Sequence, residues 1–269
     1  MMRLIRDRYR AHPLRTGWRR FSNRWTHRPK LEITHHRVVL RGLPAAFDGL
    51  RVAHLSDIHH SLYISLRTVE RAVEATNELR PDLVALTGDF VTFSPDYIAP
   101  VARALGKLRA RLGIFAVLGN HDFRAGAEQV ARELRRHGVE VLRNSHTAVA
   151  ADGQKLWLIG VDDIWYGCDL AGAARGLPAS GAKILLCHNP AIITRAARYG
   201  FDLVLSGHTH GGQVRLPVLG SFYKATRFAN GWDRLRNTQI YVSRGLGKVV
   251  VPFRIGCPPE IALLELRAP

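Results

Sequence analysis

The chain has 269 residues, 46% of them hydrophobic, with 39 Lys and Arg against 22 Asp and Glu. This length can bury one large core or two modest ones. The chain has no solenoid or propeller repeat, no run of about 18 apolar residues and no apolar segment behind its Arg-rich start. These absences argue against repeat architectures, a transmembrane span and a signal peptide.

The positive charge is concentrated at the N-terminus, where residues 1–41 carry +10 of the net +17. In that segment Leu14, Trp18, Phe21 and Trp25 recur at helical spacing among arginines, which predicts an amphipathic helix over residues 14–28. Such a helix suits an anionic membrane surface. Docking on the rest of the chain and binding of single-stranded nucleic acid are the alternatives.

From residue 50 onward the sequence alternates between apolar strands and amphipathic helices. The predicted helices are Ser65–Leu79, Tyr97–Leu112, Gln129–His137 and Ala191–Tyr199. The predicted strands are Leu50–Ser56, Asp82–Thr87, Ile114–Leu118, Val139–Leu142, Ala148–Ala150, Leu156–Val161, Ile184–Cys187, Leu203–Leu205, Tyr241–Ser243 and Ile261–Leu266. The early alternation and the later antiparallel signals predict an α/β fold of two sheets flanked by helices.

Five of these strands end in loops that open with polar groups. The loops carry Asp57-x-His59, Gly88–Asp89, Gly119–Asn120–His121–Asp122, His188 and Gly207–His208–Thr209–His210. Functional groups of α/β folds collect at the carboxyl ends of strands, so these side chains are predicted to converge. Carboxylates and an amide mixed with imidazoles suit Mn, Fe or Zn better than Ca or Mg. Two neighbouring metals would need one shared carboxylate.

This ordered set, over roughly residues 50–267, resembles the calcineurin-like metallophosphoesterase superfamily, whose pattern is D-x-H, G-D, G-N-H-[DE], H and G-H-x-H. The stretches GHTHGGQV at 207–214, YVSRGLG at 241–247 and CPPEI at 257–261 resemble its YaeI/YkuE-like bacterial, membrane-associated branch. The resemblance implies a four-layer α/β/β/α sandwich with mixed sheets. It also divides the chain into a basic amphipathic extension, residues 1–45, and a metallophosphoesterase domain, residues 46–269.

The resemblance further implies a role for each motif residue and two divalent transition metals, Mn, Fe or Zn. One metal would be held by Asp57, His59, Asp89 and His210, and the second, bridged by Asp89, by Asn120, His188 and His208. His121 would lie near the scissile phosphate without binding metal, and Asp122 would orient its ring. Arg244, in a Gly-flanked loop, is a candidate to bind a substrate phosphate. Arg124 is a weaker one, and surface solubility is the alternative for both.

The function expected from this set is a binuclear-metal phosphoester hydrolase at the membrane surface, most simply its cytoplasmic face. Water would attack a phosphodiester or pyrophosphate of a phosphorylated small molecule or a lipid-linked substrate. The concrete candidate is UDP-2,3-diacylglucosamine, a lipid A precursor, because the resembled branch includes a hydrolase of this compound. The alternative is a phosphodiesterase or phosphomonoesterase of broad range.

Two further classes are disfavoured by the sequence. A non-catalytic scaffold would be expected to have lost ligand positions, and this chain retains all of them. A nucleic-acid-binding protein or nuclease would be expected to carry its basic excess along the active-site cleft, whereas here the excess lies in the extension.

Overall fold

The computed structural model describes residues 30–216, 220–221 and 228–269. The predicted amphipathic helix of residues 14–28 lies outside these ranges. Within them, the longer elements form two six-stranded sheets with helices against them, and a two-stranded hairpin lies apart. The described helices are α1 (Leu66–Glu78), α2 (Ile98–Leu105), α3 (Asn120–Arg136), α4 (Leu170–Ala174) and α5 (Ile193–Ala196).

The first sheet has the strand order β1-β14-β2-β3-β4-β5. Strands β2 to β5 are parallel to one another, while β14 runs antiparallel to β2 and parallel to β1. Its strands are β1 (Glu32–Val39), β2 (Arg51–Leu55), β3 (Leu83–Leu86), β4 (Ile114–Ala116), β5 (Glu140–Val141) and β14 (Glu260–Arg267). The sheet is therefore mixed, as predicted.

The second sheet has the strand order β12-β13-β9-β8-β7-β6. Strands β13, β9, β8 and β7 are parallel, and an antiparallel strand closes each edge. Its strands are β6 (Ser145–Ala151), β7 (Gln154–Gly160), β8 (Lys183–Leu186), β9 (Leu203–Ser206), β12 (Gly231–Leu235) and β13 (Thr238–Val242). The hairpin apart from both sheets joins β10 (Arg215–Leu216) to β11 (Gly220–Ser221).

The buried side chains form three hydrophobic clusters, one between the two sheets and one between each sheet and its helices. In β3, Leu83 and Ala85 pack between the two sheets, while Val84 and Leu86 pack against α1, α2 and α3. In β8, Leu185 faces outward to pack with the residues of α4 and α5. Because successive strand residues point to opposite faces, the central strands β3, β8 and β9 are covered on both sides and are buried throughout. The result is the predicted four-layer α/β/β/α sandwich.

Several predicted helices end earlier or begin earlier than the periodicity suggests. Helix α1 matches its prediction because the Ser65 hydroxyl caps it by accepting from the Thr68 N–H. Helix α2 ends at Leu105, since the chain turns at Gly106 instead of continuing to residue 112. Helix α3 begins at Asn120, so the motif residues predicted to lie in a loop form its first turn.

The first strand was not predicted, and it lies inside the predicted N-terminal extension. Strand β1 pairs with β14 in register from Glu32 with Glu260 to Val39 with Arg267. Residues 32–39 are therefore part of the first sheet, although the proposed division places them in the extension. The position of a domain boundary near residue 45 otherwise stays a prediction.

Among the described residues, no helix combines the length and apolar content that crossing a membrane requires.

His54 on β2 is a histidine within an apolar strand, and it is buried in the core. Its side chain is fully buried, and Nε2 lies 2.8 Å from the Thr87 hydroxyl. The Nδ1 atom of the ring has no hydrogen-bond partner among the described residues. Burial lowers the pKa of His54 to about 4, so the ring is neutral at pH 7.

This neutral ring makes the stability of the fold depend on pH. The pKa of His54 in the folded state lies below the ordinary value of 6.5, so the unfolded chain binds a proton more readily than the folded one. The free energy of unfolding is therefore highest above pH 6.5 and falls as the pH decreases toward 4. Between pH 7.5 and pH 5, we expect the wild type to lose about 2 kcal/mol more than His54→Gln. Urea unfolding of the metal-free proteins at both pH values measures this difference, and equal losses would contradict it.

Candidate metal centre

The predicted ligands follow the carboxyl ends of strands from both sheets. Asp57 and His59 follow β2, Asp89 follows β3, His188 follows β8, and the two histidines of the G-H-T-H motif follow β9. Five of these residues have a left-handed backbone, which non-glycine residues adopt rarely. They are Asp57 (φ 51°), His59 (φ 50°), Asp89 (φ 56°), His208 (φ 72°) and His210 (φ 52°). Such strain is typical of functional sites, where it re-aims side chains.

Motif glycines let the backbone pass close to the two carboxylates. A Cβ on Gly119 would lie 2.2 Å from Asp89 Oδ1, and one on Gly207 would lie 2.2 Å from Asp57 Oδ2. A Cβ on Gly88 would lie 2.4 Å from the Gly119 nitrogen. These separations exclude any side chain, which explains in steric terms why Gly precedes Asp89, Asn120 and His208 in the motifs.

Asp122 fixes the loop that carries Asp89. Its Oδ2 accepts from the N–H groups of Asp89 (2.8 Å) and Gly119 (2.9 Å), and its Oδ1 from those of Phe90 (2.9 Å) and Val91 (3.3 Å). The predicted contact with the His121 ring is wrong, because the carboxylate is occupied by backbone donors. Asp122 is therefore a positioning residue, not a catalytic one.

One group of donors surrounds Asp57. His210 Nε2 lies 3.4 Å from Asp57 Oδ1 and 3.1 Å from His59 Nε2. His59 Nε2 in turn lies 3.4 Å from Asp89 Oδ2. All four residues are buried. The potential ligand atoms of Asp57, His59 and His210 lie within 4.8 Å of one another, which suits a single cation.

A second group of donors surrounds the other side of Asp89. His188 Nε2 lies 3.2 Å from Asp89 Oδ2, the same oxygen that faces His59. His208 Nδ1 lies 3.2 Å from His188 Nε2 and 3.0 Å from Asn120 Oδ1. The structure thus brings together all seven predicted ligands, with Asp89 between the two groups.

Backbone carbonyls orient two of the imidazole rings. His188 Nδ1 donates to the Thr87 carbonyl (2.7 Å), which leaves Nε2 directed at Asp89. His121 Nδ1 donates to the Thr92 carbonyl (2.8 Å), the contact that the sequence assigned to Asp122. Such contacts fix the tautomer and orientation of metal-binding histidines.

The electrostatics of the cluster favour a cation. Burial alone would lower the pKa of His188, yet Asp89 and Asp57 raise it to about 10, so the two carboxylates create a strongly negative site. Burial and the neighbouring His188 lower the pKa of His208 to about 3, and burial lowers that of His210 well below its ordinary value. Neutral imidazoles are the form that binds metal.

The chemistry of the donors also fits a metal. Two pairs of ring nitrogens face each other closely: His59 Nε2 and His210 Nε2 lie 3.1 Å apart, and His188 Nε2 and His208 Nδ1 lie 3.2 Å apart. Among the described residues, no carboxylate lies at normal hydrogen-bond distance from both members of either pair. Divalent cations would accept all of these lone pairs at once. The buried residues present therefore suit divalent transition metals.

Arg244 occupies a different environment from the one predicted. Its guanidinium lies 3.2 Å from Glu260 and 2.7 Å from Glu32, across the start of β1. It borders a cavity of about 200 Å³ at the edges of both sheets. Its binding of a substrate phosphate stays a prediction. Arg124 is exposed, with Nε 3.1 Å from the Tyr166 hydroxyl.

Sequence reasoning missed Arg254 and Asp163. Arg254 is buried and donates from Nη2 to the carbonyls of Arg244 (2.7 Å) and Gly245 (3.1 Å), with His210 Nδ1 at 3.2 Å. No motif distinguishes it from the other arginines of the chain. Asp163, just after β7, is fully buried, and burial raises its pKa.

Comparison with known proteins agrees with this geometry. The sequence profile of the family described as calcineurin-like phosphoesterase matches residues 50–212. The metallophosphoesterase YkuE of Bacillus subtilis is 34% identical over 88% of this chain and 86% of its own length. The phosphodiesterase YaeI of Escherichia coli is 32% identical over 87% of this chain and 88% of its own length.

A solved structure supports the fold alone. The sulfate thiohydrolase SoxB of Thermus thermophilus superposes with a TM-score of 0.51 at 14% identity, over 84% of this chain and 57% of that one. The family profile and the two relatives show that the chain belongs to the calcineurin-like metallophosphoesterase family. It is a metal-dependent phosphoester hydrolase, as the sequence motifs predicted.

Two adjacent histidines provide a matched test of the donor set. His59 faces Asp89, whereas His60 is directed away, with Nδ1 2.8 Å from the Ile64 carbonyl. We expect His59→Ala to lower the bound metal by about one ion per chain and His60→Ala to leave it unchanged. Elemental analysis after dialysis against Mn or Zn measures the content. Equal metal in both variants would contradict the assignment.

A second test concerns the positioning role of Asp122. Replacing it with Asn puts an N–H₂ group against backbone donors, which we expect to cost about 3 kcal/mol of unfolding free energy. Bound metal should fall with it, because the Asp89 loop loses its support. Asp152→Asn, in an exposed hairpin turn, is the control. Unchanged stability in Asp122→Asn would refute the role.

Proposed function

We propose that the chain is a binuclear-metal hydrolase that catalyses attack of water on a phosphodiester or pyrophosphate at the membrane surface. One observation carries the two-metal assignment: Asp89 Oδ2 lies between His59 Nε2 (3.4 Å) and His188 Nε2 (3.2 Å), which belong to the two donor groups. A carboxylate shared in this way is what two neighbouring metals require. Asp57, His59, Asp89 and His210 would hold one ion, and Asp89, Asn120, His188 and His208 the other.

The two ions, Mn, Fe or Zn, supply Lewis acidity and lower the pKa of water when they are bound. The protein contributes rigid placement, since each ligand follows a buried strand and several adopt a strained backbone. His121 is fixed by the bond from its Nδ1 to the Thr92 carbonyl, which leaves Nε2 available to the substrate.

His121 is the proposed proton donor to the leaving oxygen. A nitrogen of its ring lies within 4.8 Å of the potential ligand atoms of His59 and Asp89. Burial lowers the pKa of His121, so the ring is neutral in the free enzyme at pH 7. The negative charge of a bound phosphate favours the protonated form, which places the proton where the leaving oxygen needs it.

The membrane location and the lipid-linked substrate are the finer parts of the proposal. The +10 charge of residues 1–41 and the aromatic stripe within residues 14–28 support binding to an anionic surface. Three free cysteines favour the reducing, cytoplasmic face. On UDP-2,3-diacylglucosamine the reaction would release UMP and the lipid phosphate.

The role of His121 is tested by His121→Asn, whose amide can keep the bond to Thr92 but lacks the proton at Nε2. We expect kcat to fall about 10²- to 10⁴-fold while the bound metal is unchanged. The loss should be smaller with p-nitrophenolate than with an alkoxide leaving group, because the better leaving group needs less protonation. Loss of metal together with activity would instead make His121 a ligand.

The substrate is tested by assaying hydrolysis of UDP-2,3-diacylglucosamine and bis-p-nitrophenyl phosphate with added Mn. Release of UMP, abolished in Asp89→Ala, is the expected result. Hydrolysis of the soluble diester alone would support the broad-range phosphodiesterase and overturn the lipid assignment. A metal-loaded protein inactive on both would refute catalysis of either reaction.

A further inference from the structure

Large hydrophobic side chains are exposed around the mouth of the metal centre. In the part of the chain that the structure describes, ten large hydrophobic residues are exposed, and six of them lie on loops that adjoin the ligand loops. We call these six residues the apolar rim. They are Leu62, Tyr63, Phe93, Trp165, Val250 and Ile255.

Ring contacts place two of the rim residues directly beside residues of the metal centre. The ring of Phe93 lies 5.0 Å from that of His121, and the ring of Trp165 lies 5.0 Å from that of His208. The loop that leads to Val250 is joined to the first ligand loop, since the Gly247 N–H donates to the Asp57 carbonyl. The rim therefore lies on loops that adjoin the metal centre.

The exposure of the rim is too large to be incidental. Val250 is 92% exposed, Trp165 57% and Tyr63 56%. Single exposed apolar residues are ordinary on a protein surface, but a group of them around a functional opening marks an interaction site. Aromatic rings with a polar atom, such as those of Trp165 and Tyr63, are the side chains that favour a membrane interface.

Positive charge accompanies the rim. Arg67, in the first turn of α1, is exposed just after Leu62 and Tyr63 in the chain, and Arg124 is exposed beside Tyr166. Lys248 lies on the same loop as Val250. Apolar residues interspersed with basic ones match the chemistry of an anionic phospholipid surface.

The N-terminal segment joins the fold at this same edge. Strand β14 lies between β1 and β2, and β1 runs in the direction opposite to β2, so its start at Glu32 lies at the same end of the sheet as the end of β2, where Asp57 follows. Residues 1–29, which precede the described part of the chain, carry nine arginines and one acidic residue. The most basic segment of the sequence is therefore attached next to the mouth of the centre, not on the opposite edge.

We propose that the apolar rim inserts into an anionic phospholipid bilayer and turns the mouth of the metal centre toward the lipid headgroups. A phosphoester in the headgroup layer would then reach the donors without leaving the bilayer. The proposal rests on the proposed function only for its substrate. Binding of the rim to lipid is a separate property that does not require catalysis.

The test compares two variants of the full chain that carry the same kinds of substitution. Leu62→Ser/Tyr63→Ser/Val250→Ser alters the rim, and Val39→Ser/Tyr199→Ser alters exposed residues elsewhere on the fold. Co-sedimentation with phosphatidylglycerol–phosphatidylcholine vesicles gives the partition coefficient. We expect the rim variant to bind at least about tenfold more weakly than the wild type and the control variant to bind equally.

Hydrolysis of bis-p-nitrophenyl phosphate in solution should be unchanged in both variants, which shows that the centre is intact. If the triple variant is inactive or unfolded, the single substitutions Leu62→Ser and Val250→Ser replace it, each with a smaller expected loss of binding. Failure of the wild type to hydrolyse any diester would refute the proposed function, while a vesicle-binding defect of the rim variant would still support the rim.

Two results would overturn the rim proposal. If the rim variant bound vesicles as tightly as the wild type, the basic N-terminal segment would bind lipid without the rim. Self-association of the wild type without lipid, lost in the rim variant in sedimentation experiments, would make the rim a contact between copies of the chain instead.

Discussion

The carboxylate of Asp122 is the contact on which the geometry of the centre depends. It accepts four backbone N–H groups, two through each oxygen, and so ties the first turn of α3 to the loop after β3. A carboxylate at a helix N-terminus is favoured by the helix dipole as well as by these bonds. With the loop fixed, Asp89 Oδ1 accepts from the His121 N–H, and Oδ2 remains between the two groups of imidazoles.

The fold contributes rigidity to a site that is costly to build. Seven potential metal ligands are gathered at the site, and five of them have a left-handed backbone. Burial of polar groups and backbone strain both lower the free energy of unfolding. The buried central strands of the two sheets offset that cost, because they are apolar on both faces and end at the site. The glycines at 88, 119 and 207 allow the close approach of loops that larger residues would separate.

Much of this arrangement can be read from the sequence, and the limits have physical reasons. Apolar runs that end in Asp, Asn or His predict both the strands and the metal ligands, because the carboxyl ends of parallel strands converge independently of loop conformation. The partner of Asp122 was mispredicted, since motif spacing says nothing about backbone N–H groups. Buried Arg254 and Asp163 look like surface residues in a sequence, because their burial depends on contacts distant in the chain. Strand β1 was missed because its residues are mostly polar and lack an apolar strand pattern, as expected of a strand that is mostly exposed.

The central claim is that these residues hold two metals that share Asp89. Anomalous diffraction from crystals of the full chain grown with Mn or Zn tests it directly. We expect two anomalous peaks about 3.5 Å apart, one beside Asp57 and His210 and the other beside His188 and His208, with Asp89 in contact with both. A single peak, or peaks away from Asp89 in crystals with saturating metal, would contradict the binuclear assignment.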